Sequence, residues 1–266
     1  MSEKARFSSE AELCATFISQ LPEGWTAYPE TAGFDILLAR DVDGVQIGIE
    51  AKLALNAKVI EQVMPHDSWW HADGEHPEYR AVLVPWGCSG GLAAVCKFLD
   101  ITIIEMASKA LYQSWHPMVR RKMSPDLPKV GDHWYQDRKW RDWCPAKRCA
   151  LPDYIPDVTA GASAPVQLSG WKVKAIKLII LLDRRGYVTR ADFKHLEVDP
   201  GRWIYSGRWL AHGAVKGQFV RCEYTPDFRA QHPVNFDQIA ADFEKWSPQA
   251  IRADHVPAPE KQERML

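Results

Sequence analysis

Residues 33–40, Gly-Phe-Asp-Ile-Leu-Leu-Ala-Arg, and residues 45–52, Val-Gln-Ile-Gly-Ile-Glu-Ala-Lys, decide the fold. Both runs are rich in Ile, Leu and Val, and the Asp43-Gly44 pair lies between them. An Asp-Gly pair flanked by apolar runs predicts a β-hairpin, because glycine accepts the positive φ of a tight turn. Charges then occur where a buried strand should have none: Asp35 near the start of the first run, Glu50 and Lys52 at the end of the second. Side chains alternate along a strand, so Glu50 and Lys52 share a face and Ala51 turns away. Two carboxylates joined by a hairpin, with an ammonium beside them, suit a hard divalent cation that keeps some of its own waters.

Outward from the hairpin the periodicity predicts an α/β order. Ser9 and Glu12 have capping-box spacing ahead of an apolar stripe of Leu13, Phe17, Ile18 and Leu21, which Pro22-Glu23-Gly24 ends. A first strand follows over 25–29. Asn56 caps a helix carrying Val59, Ile60, Val63 and Met64, ending near Pro65. A strand over 80–85, a helix from Ser89 to Leu99 and a strand over 101–104 complete the pattern. The order is helix, three-strand meander, helix, strand, helix, strand. Its last strand-helix-strand unit needs a parallel crossover.

Asp35, followed across a hairpin by Glu50-Ala51-Lys52 in this order of elements, resembles the PD-(D/E)XK, or restriction-endonuclease-like, superfamily over residues 8–106. Phe34 stands where the name-giving proline would be. The resemblance implies a mixed sheet flanked by helices and a metal-dependent nuclease acting on DNA. Mg²⁺, with Mn²⁺ as a substitute, would be held by Asp35 and Glu50 with the carbonyl of Ala51. Lys52 would orient or activate a water and offset negative charge. Glu12 is the acid expected to reach the metal from the first helix, against a plain capping role, with Glu10 as its substitute. Gln62 resembles the helix glutamine of some branches, against a solvated helix face. Lys58 is a phosphate contact or plain surface. Family members act in restriction, repair, recombination and phage biology, among which these residues do not choose.

From 107 to about 166 the periodicity fails. Arg120-Arg121-Lys122, Arg138-Lys139, Arg141 and Lys147-Arg148 alternate with Trp134, Tyr135, Trp140 and Trp143, and prolines recur. This stretch is expected to be a basic, aromatic, proline-rich connector, functional or extended along other surfaces. Cys144 and Cys149 have a spacing that allows two zinc ligands and His133 could add a third, but no fourth is evident.

Residues 167–247 predict a smaller α+β domain. A helix over 168–185 ends at Gly186, Thr189 caps a short second helix, and a third is expected over 202–214. A strand over 217–224 follows, and a last helix over 236–246. Three helices and a β-ribbon resemble a winged helix-turn-helix domain, which implies contact with DNA or with a partner protein. Arg202, Trp203, Tyr205, Ser206 and Arg208 would line a recognition helix, with Lys216 and Arg221 on the wing. Trp203 and Trp209 as core residues are the competing expectation. The tail from 248 to 266 is expected to be disordered.

Composition narrows the classes. The 266 residues are 46% hydrophobic and 25% charged with a net charge of −1, so attraction to nucleic acid must come from local patches. The twelve tryptophans are expected mostly in cores and interfaces. No signal peptide or membrane span is expected, and the six cysteines are read as reduced thiols of a cytoplasmic chain. The expected partners are DNA, no membrane, and a homodimeric copy or another protein at the second domain. A non-catalytic DNA- or protein-binding adaptor that keeps the fold is the rival to the enzyme.

Overall fold

A computed structural model describes residues 7–64, 74–113, 121–131, 139–163, 167–206 and 209–248. The chain divides into two compact units, Met1–Gln167 and Leu168–Leu266.

The first unit runs α1 (Glu10–Ile18), β1 (Trp25–Thr31), β2 (Phe34–Arg40), β3 (Gln46–Ala51), α2 (Ala57–Val63), β4 (Tyr79–Pro85), α3 (Ala93–Phe98), β5 (Thr102–Met106), α4 (Lys109–Gln113) and β6 (Met123–Ser124). The six strands form one mixed sheet in sequential order. β1, β2 and β3 pair antiparallel, β4 and β5 continue parallel, and β6 closes antiparallel. The α/β class and the element order read from residues 8–106 are present.

Alternation along the strands builds two main cores among the described residues. Leu13, Cys14 and Phe17 of α1 pack with Ile36, Leu38, Ile47, Ile49, Ala81 and Leu83. Val59, Ile60 and Val63 of α2 pack with Val82, Val84 and Cys96. With helices over both faces, every residue of β3 is buried, as a central strand between two layers should be. Asn56 caps α2 through its side chain, which accepts from the Val59 amide at 3.0 Å.

The stretch expected as a connector is instead built into this unit. Trp140 is buried in the α1-side core, its indole N–H donating to the Asp126 carbonyl at 2.8 Å, and Met123–Ser124 add the edge strand. A second anchor joins Gln46 to the backbone of Cys149 by two hydrogen bonds. The sequence lacks periodicity here because these residues fill gaps at the edge and over the faces of the sheet, one at a time.

The second unit runs α5 (Gly170–Arg185), β7 (Val188–Thr189), α6 (Arg190–His195), a short helical turn at Gly201–Ser206, β8 (Leu210–His212), β9 (Gln218–Arg221), α7 (Phe228–Gln231), α8 (Pro233–Ala241) and α9 (Phe243–Trp246). Its strands pair antiparallel in the order β7-β9-β8. Ser169 caps α5, and Gly186 ends it at φ 83°. The expected helix over 202–214 is a correction: it stops at Ser206, and Leu210, Ala211 and His212 pair with Arg221, Val220 and Phe219. Cross-strand pairing there overrides helix propensity. Among the described residues no helix is long and apolar enough to cross a membrane.

Candidate active site

Strand register assembles the charged group. Pro29 pairs with Ile36 and Thr31 with Phe34, so Glu30 lies opposite Asp35. Ile36 pairs with Ile49, so the next step places Asp35 opposite Glu50. Glu30, Asp35 and Glu50 therefore form a row across three neighbouring strands. The β1–β2 turn is made by Ala32 and Gly33, at φ 55° and 82°, the two-residue hairpin geometry that needs positive φ twice. Phe34 fixes the β2–β3 contact: its ring lies on Gly48, where a Cβ would fall 2.5 Å from the ring.

Around this row the polar contacts are specific. Asp35 Oδ2 accepts from the Ala51 amide at 2.8 Å. Lys52 donates to Glu10 Oε2 at 2.6 Å, both side chains partly exposed. Glu30 Oε1 accepts from the Gly161 amide at 2.9 Å. Glu50 is 4% exposed.

Burial and mutual repulsion act together on these acids. Burial pushes the Asp35 carboxyl up, against the pull of the Ala51 amide and the Lys52 ammonium. Burial, then the charge of Asp35, pushes Glu50 up to about 8. Burial also carries Glu30 up to about 7, against the Gly161 amide. The buried thiol of Cys14 is raised first by burial and then by the charges of Asp35, Glu30, Glu10 and Glu50. Burial pulls Lys52 down, yet its hydrogen bond to Glu10 and the surrounding acids outweigh this and leave it raised. Lys52 is thus a firmly protonated cation among acids that resist ionising together.

The expected residues divide. Asp35, Glu50, Ala51 and Lys52 come together, with Glu10 as the helix acid. Glu12 is corrected: it is exposed, and its carboxylate accepts from the Ser8 amide and hydroxyl at 2.7 and 2.6 Å. The Glu12 amide donates to Ser9 Oγ, so Ser9 caps the helix and the Glu12 carboxylate is engaged by Ser8. Gln62 is half-buried on α2, and its Oε1 is buried without a hydrogen-bond partner among the described residues. Lys58 is exposed on the same helix. Glu30 was missed. Its signal was the hairpin arithmetic, which requires the position of the Ala32-Gly33 turn.

In the second unit Trp203 is a correction. It is fully buried, with ring centroids 5.2 Å from Trp209 and 6.1 Å from Phe193, so it holds the core. Arg202 is exposed between the rings of Trp171 and Trp209. Tyr205 is exposed and its hydroxyl accepts from Arg190. Arg221 pairs with Asp183, Lys174 with Glu197 and Arg185 with Asp192, so much of the expected basic surface is already neutralised. Lys194 and Lys216 are exposed with no acidic partner among the described residues. Arg208 lies outside the described residues, as do His133 and residues 249–266 of the tail.

Among the described residues no three His, Cys, Asp or Glu side chains are grouped to hold a metal ion by themselves. Cys144 is exposed, while Cys149 is buried against the Glu75 carbonyl. A cavity of about 470 Å³ lined by Lys97, Asp100, Thr102, Glu105, Lys139 and Arg141 is bordered by none of the acid row. Comparison of the chain with protein-family models, with curated proteins and with solved structures finds no match.

Proposed function

We propose that this chain is a metal-dependent deoxyribonuclease of the PD-(D/E)XK type, cutting DNA phosphodiesters at the Asp35, Glu50 and Lys52 group. The observation that carries this reading is the row of acids on adjacent strands, raised by burial and mutual repulsion, with one ammonium beside it. A divalent cation relieves that repulsion.

The donor set fits Mg²⁺ or Mn²⁺: hard oxygen ligands from Asp35 and Glu50, with the backbone carbonyl of Ala51 available as in the family pattern. Mg²⁺ is commonly held by one or two carboxylates and its own waters, so it requires no protein trio. When bound, the ion would supply Lewis-acid polarisation of the scissile phosphate and a lowered pKa for a water. The Ala51 amide orients the Asp35 carboxylate toward the group. Lys52 is held protonated by Glu10, so its part is to orient the water and offset negative charge on the phosphate; it does not remove the proton. The second unit, with three helical segments and a β8–β9 ribbon, is proposed as a winged-helix-like module. Lys194, Lys216, Arg190 and Tyr205 are its DNA-facing candidates.

A non-catalytic adaptor is the alternative, favoured by one observation: Lys52 and Glu10 already satisfy each other at 2.6 Å. Cleavage of linear, circular and branched DNA with Mg²⁺ or Mn²⁺, beside Asp35→Ala and Lys52→Ala, separates the two. The nuclease reading expects activity in the wild type alone. Equal activity in all three proteins, or none in any, rejects it.

A further inference from the structure

We infer that Glu30 is a positioning residue of the acid site and that Gly161 is the latch that holds it. The inference rests on the nuclease reading and extends it to a residue outside the Asp/Glu-x-Lys pattern.

Glu30 reaches the site by strand register, opposite Asp35. Its orientation is set from far away in sequence, by the Gly161 amide on Oε1 at 2.9 Å. Oε2 has no hydrogen-bond partner among the described residues. The latch is confined on every side. Gly161 sits at φ 70°, where a Cβ would fall 2.9 Å from Cys14 Sγ and 3.2 Å from the backbone carbonyl of Glu10. Ala160, next to it, is 5% exposed in the α1-side core. A glycine of positive φ, pressed onto the helix that carries Glu10, therefore aims its N–H at one carboxylate oxygen and leaves the other open.

A Mg²⁺-type ion keeps several waters, and those waters need acceptors. Glu30 would accept from them, with Asp35 and Glu50 as the residues that would hold the ion. Residues that orient a metal's ligands in this way cost about 10–100-fold in ion affinity when lost.

Two backbone amides report on the two acids separately: Ala51 on Asp35 and Gly161 on Glu30. The test is a titration of the full-length protein with Mg²⁺ alone, followed by amide chemical shifts in ¹⁵N-labelled wild type, Glu30→Gln and Gly161→Ala. Glutamine keeps an acceptor for the Gly161 amide, so Glu30→Gln tests the charge without unseating the latch. Both amides should shift with one midpoint in the wild type. In Glu30→Gln the midpoint at Ala51 should rise about tenfold, and in Gly161→Ala it should rise in the same direction. A purely structural role would lower the unfolding temperature and leave the midpoint unchanged, which overturns the inference. Ala51 responding while Gly161 stays silent also overturns it, with the nuclease reading intact. Silence at both amides removes the ion site and this inference together, and a response at Gly161 alone overturns it because the ion would be bound elsewhere.

Discussion

Two buried acid sites, one in each unit, treat charge in opposite ways. In the second unit Asp192 is buried, but Arg185 pairs with it and the Thr189 amide and hydroxyl donate to it. In the first unit Glu50 is equally buried, beside Asp35 and Glu30, and the Lys52 ammonium offsets their charge only in part. Asp192 is neutralised by a cation within its unit, as Glu78 of the first unit is by Arg148. The acid row has too little positive charge beside it and its carboxyls hold their protons instead, a cost that makes sense where a cation arrives from outside.

The largest expected break in this contrast is catalytic. Asp35→Ala or Lys52→Ala should lower Mg²⁺-dependent DNA cleavage about 10²–10³-fold, the usual scale for removing one electrostatic group from a phosphoryl or acyl transfer site. Circular dichroism should stay unchanged. Next comes Trp203→Ala, which empties the aromatic core of the second unit and should cost about 3–5 kcal/mol. Calorimetry should then show an early transition for that unit, with the first unit's transition in place.

Glu50→Gln sharpens the contrast through pH. A carboxyl raised to about 8 in the folded state keeps its proton while the unfolded chain, near the ordinary glutamate value, has lost it. The contribution of Glu50 to folded stability is therefore fully present at acid pH and is lost as pH climbs from the unfolded value toward about 8. Glutamine removes that loss, so Glu50→Gln should be more stable than wild type by about 2–4 kcal/mol at pH 8. The two should converge near pH 4. Thermal melts across that range, with Mg²⁺ stabilising only the wild type at pH 8, check the sign. The smallest effect belongs to Arg221→Ala: its pair with Asp183 is about half-exposed and should be worth less than about 1 kcal/mol. Lys216→Ala should weaken DNA binding only a few-fold, with a shallower salt dependence.

Local signals carried much of the first unit. The Asp43-Gly44 turn, the alternation from Asp35 to Lys52 and the Asn56 cap are all short-range, and the meander and its parallel continuation follow from them. Glu10 over Glu12 was open because both lie in the first turn of one helix; Ser8, one turn upstream, decides it by engaging Glu12. Glu30 needed the position of the Ala32-Gly33 turn, and Gly161 needed a contact across 131 residues that no periodicity announces. In the second unit the basic residues were visible but their acidic partners, such as Glu197 and Asp183, come from other elements. The shortened third helix has the same origin, a strand pairing that exists only once β9 is in place.

Isothermal calorimetry of Mn²⁺ into the full chain at pH 8 tests the central claim most directly, with the Asp35→Asn, Glu50→Gln double variant beside the wild type. The acid row predicts a saturable site in the wild type that the double variant lacks. Equal binding by both proteins, or no binding by the wild type, would contradict it.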